Sequence, residues 1–127
     1  MSINKKIISV VLFSTLIILL CSCSKKCSVD IISEDDAVLA IKNYCYMINP
    51  DLESIVKTEE YPVYWEIISS DEHEIVVMFR SYTGAQNRYY INRNTGDTYV
   101  TEYVPGVTIE EQQTDEKFNI NDFFNND

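Results

Sequence analysis

His73 is the only histidine in the chain, and it stands among three carboxylates, Asp71, Glu72 and Glu74. Histidine beside carboxylates is the usual material for general acid–base catalysis or for holding a divalent cation. The spacing here serves neither. The four residues are consecutive, in a predicted polar turn leading into a strand, and successive strand positions point to opposite faces, so they do not converge on one proton or ion. Two other acidic groups have simpler roles: Glu34-Asp35-Asp36 opens a predicted helix, and Glu110-Glu111 falls in a predicted linker. A glycosidase would need two carboxyls across a cleft, which a thin two-layer domain can hardly form. The chain carries no G-x-S-x-G, H-E-x-x-H, P-loop, dinucleotide or C-x-x-C pattern. We therefore expect no catalytic residue, no metal and no cofactor.

The strongest chemical signal is a cysteine near the start. Lys5 and Lys6 precede an uncharged, mostly aliphatic run from Ile7 to Leu20, which ends in Leu20-Cys21-Ser22-Cys23. A membrane-spanning helix needs roughly 20 apolar residues, so this shorter run fits a secretory signal better than a permanent anchor. Its end resembles a bacterial lipobox, with an aliphatic residue at −3, a small one at −1 and then cysteine. The resemblance implies cleavage before Cys23 and diacylglycerol on its sulfur. Cys21 fits less well, because Leu20 would occupy the −1 position. Paired acyl chains anchor stably where a single chain does so only marginally. The expected location is the extracytoplasmic face of a cell membrane, or an outer membrane if the host has two.

Of 10 basic and 20 acidic residues, all the acidic ones lie beyond Cys23, whereas Lys5 and Lys6 precede it. Processing would leave eight basic against 20 acidic residues, a formal charge of −12. Such a balance argues against nucleic acid and against adsorption to anionic lipid, both of which reward basic clusters. It permits a basic partner without demanding one. Cys27 lies in the expected tether, and Cys45 on the apolar side of a predicted helix, where a buried, inert thiol is the leading expectation and a Cys27–Cys45 bridge the alternative.

Four segments follow: a signal peptide over 1–22, a lipid-anchored tether over 23–32, one α+β domain over 33–106 and an acidic tail over 107–127. Ser33 before three acidic residues reads as a helix N-cap. Ala37, Ile41, Tyr44, Cys45 and Ile48 recur at helical spacing, and Asn49-Pro50 ends the helix. Residues 51–58 could be a short helix or a connector. Four strand-like runs then come at close spacing, over 61–69, 74–82, 87–93 and 97–104, separated by polar or glycine-bearing turns. The expected fold is one helix packed on a four-stranded antiparallel meander.

Phasing the strands by their charges puts Glu66, Arg80 and Glu102 away from the helix. Val63, Trp65, Ile67, Ile75, Val77, Phe79, Tyr89, Ile91, Tyr99 and Tyr103 then face it, while Tyr64, Ile68, Val76, Met78, Tyr90 and Val100 lie outside. That outer face carries much apolar area for a solvated one. The tail offers a cover: a polar, mobile stretch over 107–117 precedes Phe118, Ile120, Phe123 and Phe124, which could fold back on the sheet or helix, or meet a partner or second copy.

The helix followed by a meander, with Tyr89-Tyr90-Ile91-Asn92-Arg93-Asn94-Thr95-Gly96-Asp97-Thr98-Tyr99 at its centre, resembles the PepSY-like modules of bacterial exported proteins, and cystatin-like small lipoproteins look similar. The resemblance spans about residues 34 to 104 and departs at Asn92, where such modules often carry Asp. It implies a role in restraining peptidases or binding exported partners, and it transfers no catalytic residue.

All nine tyrosines and the one tryptophan lie beyond Cys23. Tyr and Trp give large contact area at low entropic cost, although tyrosine also simply favours half-buried sheets. The leading expectation is a small protein-binding or inhibitory lipoprotein whose bait is the outer face around Tyr64, Met78, Arg80 and Tyr90. An immunity-type lipoprotein against a secreted toxin is one alternative. Binding of cell-wall glycan or a small ligand by aromatic stacking is another, and a buried Trp65 would count against it.

Overall fold

The structure is a computed structural model that describes residues 30 to 125. The expected signal peptide over 1–22 and Cys21, Cys23 and Cys27 lie outside the described residues. Helix α1 (Glu34–Ile48) starts where its sequence says it should. The Ser33 hydroxyl oxygen accepts the Asp36 backbone N–H at 3.1 Å and donates to the Asp36 carboxylate at 2.7 Å. The first contact satisfies a backbone N–H that a helix start leaves open, and the second fixes the capping hydroxyl. Ala37, Ala40, Ile41, Tyr44 and Cys45 are buried along one side, and the Asn49 N–H closes the helix on the Cys45 carbonyl. Ile48, expected in that stripe, is instead half exposed. Leu52, at the start of the short helix α2 (Leu52–Thr58), is buried.

Five antiparallel strands follow in sequence order: β1 (Tyr64–Ser70), β2 (Glu74–Arg80), β3 (Gln86–Asn92), β4 (Asp97–Tyr103) and β5 (Gln112–Asn119). A 3-10 helix, Ile120–Phe123, ends the order. The α+β meander is as expected, but the sheet has five strands where four were predicted. The fifth comes from the stretch read as a mobile linker. Its alternation is carried by Thr114, Glu116 and Phe118, which are half-buried while Gln113, Asp115 and Lys117 are exposed. A carboxylate in the middle of that series hides the strand pattern. Glu116 reaches inward because the Tyr44 hydroxyl donates to it.

Register defines the two faces. Trp65–Phe79–Asn87–Glu102, Ile67–Val77–Tyr89–Val100 and Ile75–Ile91–Thr98–Phe118 form the inner rows. Tyr64–Arg80–Gln86–Tyr103, Glu66–Met78–Arg88–Thr101 and Val76–Tyr90–Tyr99–Lys117 form the outer ones. Strand β4 is thus phased opposite to expectation: Val100 is in the core, and Tyr99 and Tyr103 are outside. The reason is Glu102. It sits on the helix side near one end of the sheet, while α1 packs against β1 and β2 and leaves Glu102 in water. A charge on a strand marks solvent, not a face.

The core joins α1 to the inner rows and to Ile120, with Tyr89, Ile41, Ile75, Ile91 and Ile120 fully buried. Phe118, Phe123 and Phe124 pack against that core, so the tail folds back on the helix side. These late aromatics do not cover the outer face. Asn43 Nδ2 donates to the Phe123 carbonyl at 2.8 Å and pins the returning chain to α1.

Gly96 makes the last joint close. Its φ is +82°, and the Ile120 N–H bonds to its carbonyl at 2.9 Å. An added Cβ would lie 2.6 Å from Asn121 Nδ2 and 2.8 Å from Asn119 Oδ1.

Candidate binding surface

The four residues expected to form the binding face lie on the outer side of the sheet, in three settings. Tyr64 and Arg80 are neighbours in register at one end. The Arg80 guanidinium lies over the Tyr64 ring, 5.9 Å from its centre, and Nη1 donates to the Pro62 carbonyl at 2.6 Å. Tyr61 and Tyr82 meet beside them, with ring centres 5.9 Å apart. Tyr61, Tyr64 and Tyr82 are 47%, 43% and 50% exposed, so this corner presents three open rings, one of them beneath a guanidinium that the Pro62 carbonyl holds.

Met78 is different. It lies in the outer row between Glu66 and Arg88 and keeps only 6% of its surface. Long neighbouring side chains shield it, so it is the floor of the face and not a contact point.

Tyr90 is turned to a third use. Its ring stacks on Tyr99 with centres 4.7 Å apart and planes within 3°. Its hydroxyl donates to Glu111 at 2.6 Å, Thr101 donates to the same carboxylate oxygen, and Arg88 pairs with the other at 3.3 Å. Burial alone would raise the Glu111 carboxyl; the donors Thr101 and Tyr90 and the charge of Arg88 outweigh it and hold the group below its ordinary value. Tyr90 moves the opposite way, raised by burial and by its bond to Glu111. The segment after β4 is thereby strapped onto the outer face. Arg88 also lies over Tyr103, 5.7 Å from the ring centre, and its Nε is buried with no partner among the described residues.

Beside this knot is a shallow cleft of about 610 Å³, walled by Tyr90, Tyr99, Glu74, Asp97 and Lys117. Sequence reasoning missed three contributors to the outer face. Tyr99 and Tyr103 lie there because β4 is phased opposite to what Glu102 suggests, and Glu111 stands beside a second carboxylate in an acidic stretch that gives no local sign of its partners.

The histidine cluster stays in its turn. Asp71 Oδ1 accepts the N–H groups of His73 and Glu74 at 2.7 and 2.8 Å, and these two bonds hold its carboxyl below the ordinary range. Among the described residues no group of three or more His, Cys, Asp or Glu could hold a metal ion. Cys45 is a free, buried thiol, raised by that burial, with the Tyr89 hydroxyl 3.5 Å away. Trp65 is half-buried on the helix side, stacked on Phe79 at 5.0 Å beneath the Lys42 ammonium. No helix among the described residues is long and apolar enough to cross a membrane. In comparisons with family models, curated proteins and solved structures, the chain matched none of them.

Proposed function

We propose that the chain is a lipid-anchored extracytoplasmic lipoprotein that acts as a small protein-binding or inhibitory module, with no catalysis of its own. The anchor is Cys23, on the strength of the lipobox-like Leu20-Cys21-Ser22-Cys23 and the short apolar run before it. The bait is the Arg80 corner. The observation that carries this reading is the exposure of Tyr61, Tyr64 and Tyr82 at one corner, with Tyr64 beneath an arginine already held by the Pro62 carbonyl. Tyrosine and arginine dominate binding hot spots, and a side chain fixed beforehand loses little freedom on binding. Tyr90 and Tyr99 extend the face, and Met78 supports it from below. The likeness to PepSY-like modules, with their proposed part in restraining peptidases or binding exported proteins, points the same way.

The test is capture from the native envelope with the full-length lipidated protein. A protein partner recovered in stoichiometric amount should fall at least tenfold with Tyr64→Ala plus Arg80→Ala. Cys23→Ala should move the protein out of the membrane fraction. Unchanged recovery with the double variant would refute the corner as bait.

A further inference from the structure

The two edges of the sheet are built differently. Strand β5 is one edge, and its middle carries Asp115, Glu116 and Lys117 beside an irregularity in its pairing with β4. Charges and bulges of this kind protect an edge from pairing with another chain. Strand β1 is the other edge. Its sequence, Tyr-Trp-Glu-Ile-Ile-Ser-Ser, has one charge and no proline. Pro62 precedes it, and its bulge is confined to Ile67–Ser69. Apart from its ladder with β2, no backbone hydrogen bond reaches Tyr64–Ser70 among the described residues. The stretch from Tyr64 to Ile67 is therefore a regular edge whose outward N–H and C=O groups have no partner among the described residues, and it begins at the Arg80 corner.

We infer that β1 receives an extended segment of the protein partner as a sixth strand. This rests on the protein-binding reading above and specifies how the partner is held. Backbone groups along an open edge are matched by another extended backbone, and side-chain pockets then choose among sequences. The occupant is a basic extended segment. Glu66 is the one charged residue of β1, it lies in an outer row and is exposed, and a basic side chain on the added strand would pair with it across the new ladder. The eight basic against 20 acidic residues left after cleavage before Cys23 favour a cationic partner and oppose a second copy of the chain. Tyr64 and the Arg80 corner would flank one end of the incoming strand.

The experiment uses the full-length chain in nanodiscs and a defined probe, acetyl-Lys-Val-Lys-Val-Lys-Val-amide. The expected result is binding that slows amide hydrogen exchange in the segment 64–67. An N-methylated version of the peptide, unable to complete the ladder, should bind at least tenfold more weakly. Ile68→Lys, at a position already 42% exposed, should block the edge without harming the fold, and Glu66→Gln should weaken binding several-fold. No binding, equal binding of the N-methylated peptide, or unchanged exchange in β1 would overturn the inference. So would protection of β1 by self-association of the chain. If the host partner is still captured by Ile68→Lys but lost with Tyr64→Ala plus Arg80→Ala, the binding-module reading stands and strand addition falls. If no host partner is captured while the peptide protects β1, the reverse holds.

Discussion

The ring of Tyr44 in α1 lies flat on that of Phe118 at the end of β5, with centres 3.8 Å apart and planes within 8°. Phe123 meets both rings edge-on, at 5.2 and 5.6 Å. Stacked and edge-to-face pairs add to the apolar area that each ring removes from water. This trio holds the end of the tail on the helix side of the sheet, while Glu111 ties the preceding segment to the outer rows.

The domain therefore requires its tail. Truncation after Gly106 removes β5, the Tyr44 partners and the fully buried Ile120. The expected outcome is loss of the cooperative thermal transition. The milder change Phe118→Ala should cost about 2–4 kcal/mol, because the ring is only part-buried and large-to-small changes at full burial span roughly 3–5. Denaturant unfolding of both variants checks this; a stable fragment ending at Gly106 would contradict it.

Gly96→Ala tests the joint between β4 and the closing 3-10 helix. The left-handed φ and the near contacts with Asn119 and Asn121 both oppose a Cβ. We expect a loss of about 1–3 kcal/mol in chemical denaturation. Gly106 also has a positive φ but nothing within 4 Å of an added Cβ, so Gly106→Ala should be milder.

The Glu111 knot makes stability depend on acid. Its folded-state carboxyl is held low, so the folded protein takes up that proton less readily than the unfolded chain. The contribution is present above the ordinary carboxyl range and is lost as pH falls through the depressed folded value. Glu111→Gln should cost about 1–2 kcal/mol at neutral pH, since it replaces charge-assisted hydrogen bonds with neutral ones. The difference from the parent should shrink as pH is lowered below about 4. Denaturation midpoints of both proteins from pH 7 to pH 3 read this directly, and a gap that widens in acid would contradict it.

Much of this fold could be read before the structure, for identifiable reasons. Ser33 and the acidic turn mark α1, and the unbroken apolar run Ile75–Phe79 marks β2, because both signals come from local chemistry. What escaped depends on partners distant in sequence. Glu116 is inward-facing only because Tyr44 supplies a hydroxyl 72 positions away, and Glu111 gathers Arg88, Tyr90 and Thr101 from two strands. Glu102 misled the phasing of β4 because α1 covers only part of the inner face. Of the expected binding residues, Tyr64 and Arg80 meet through strand register, while the burial of Met78 depends on its long neighbours.

The most direct test of an open, partner-binding outer face is site-specific photocrosslinking in the native host. A photoreactive phenylalanine derivative replaces either Tyr82, 50% exposed at the Arg80 corner, or Met47, 58% exposed on α1. The account predicts one discrete protein adduct from position 82 and none from position 47. Adducts from position 47 alone, or equally from both, would contradict it.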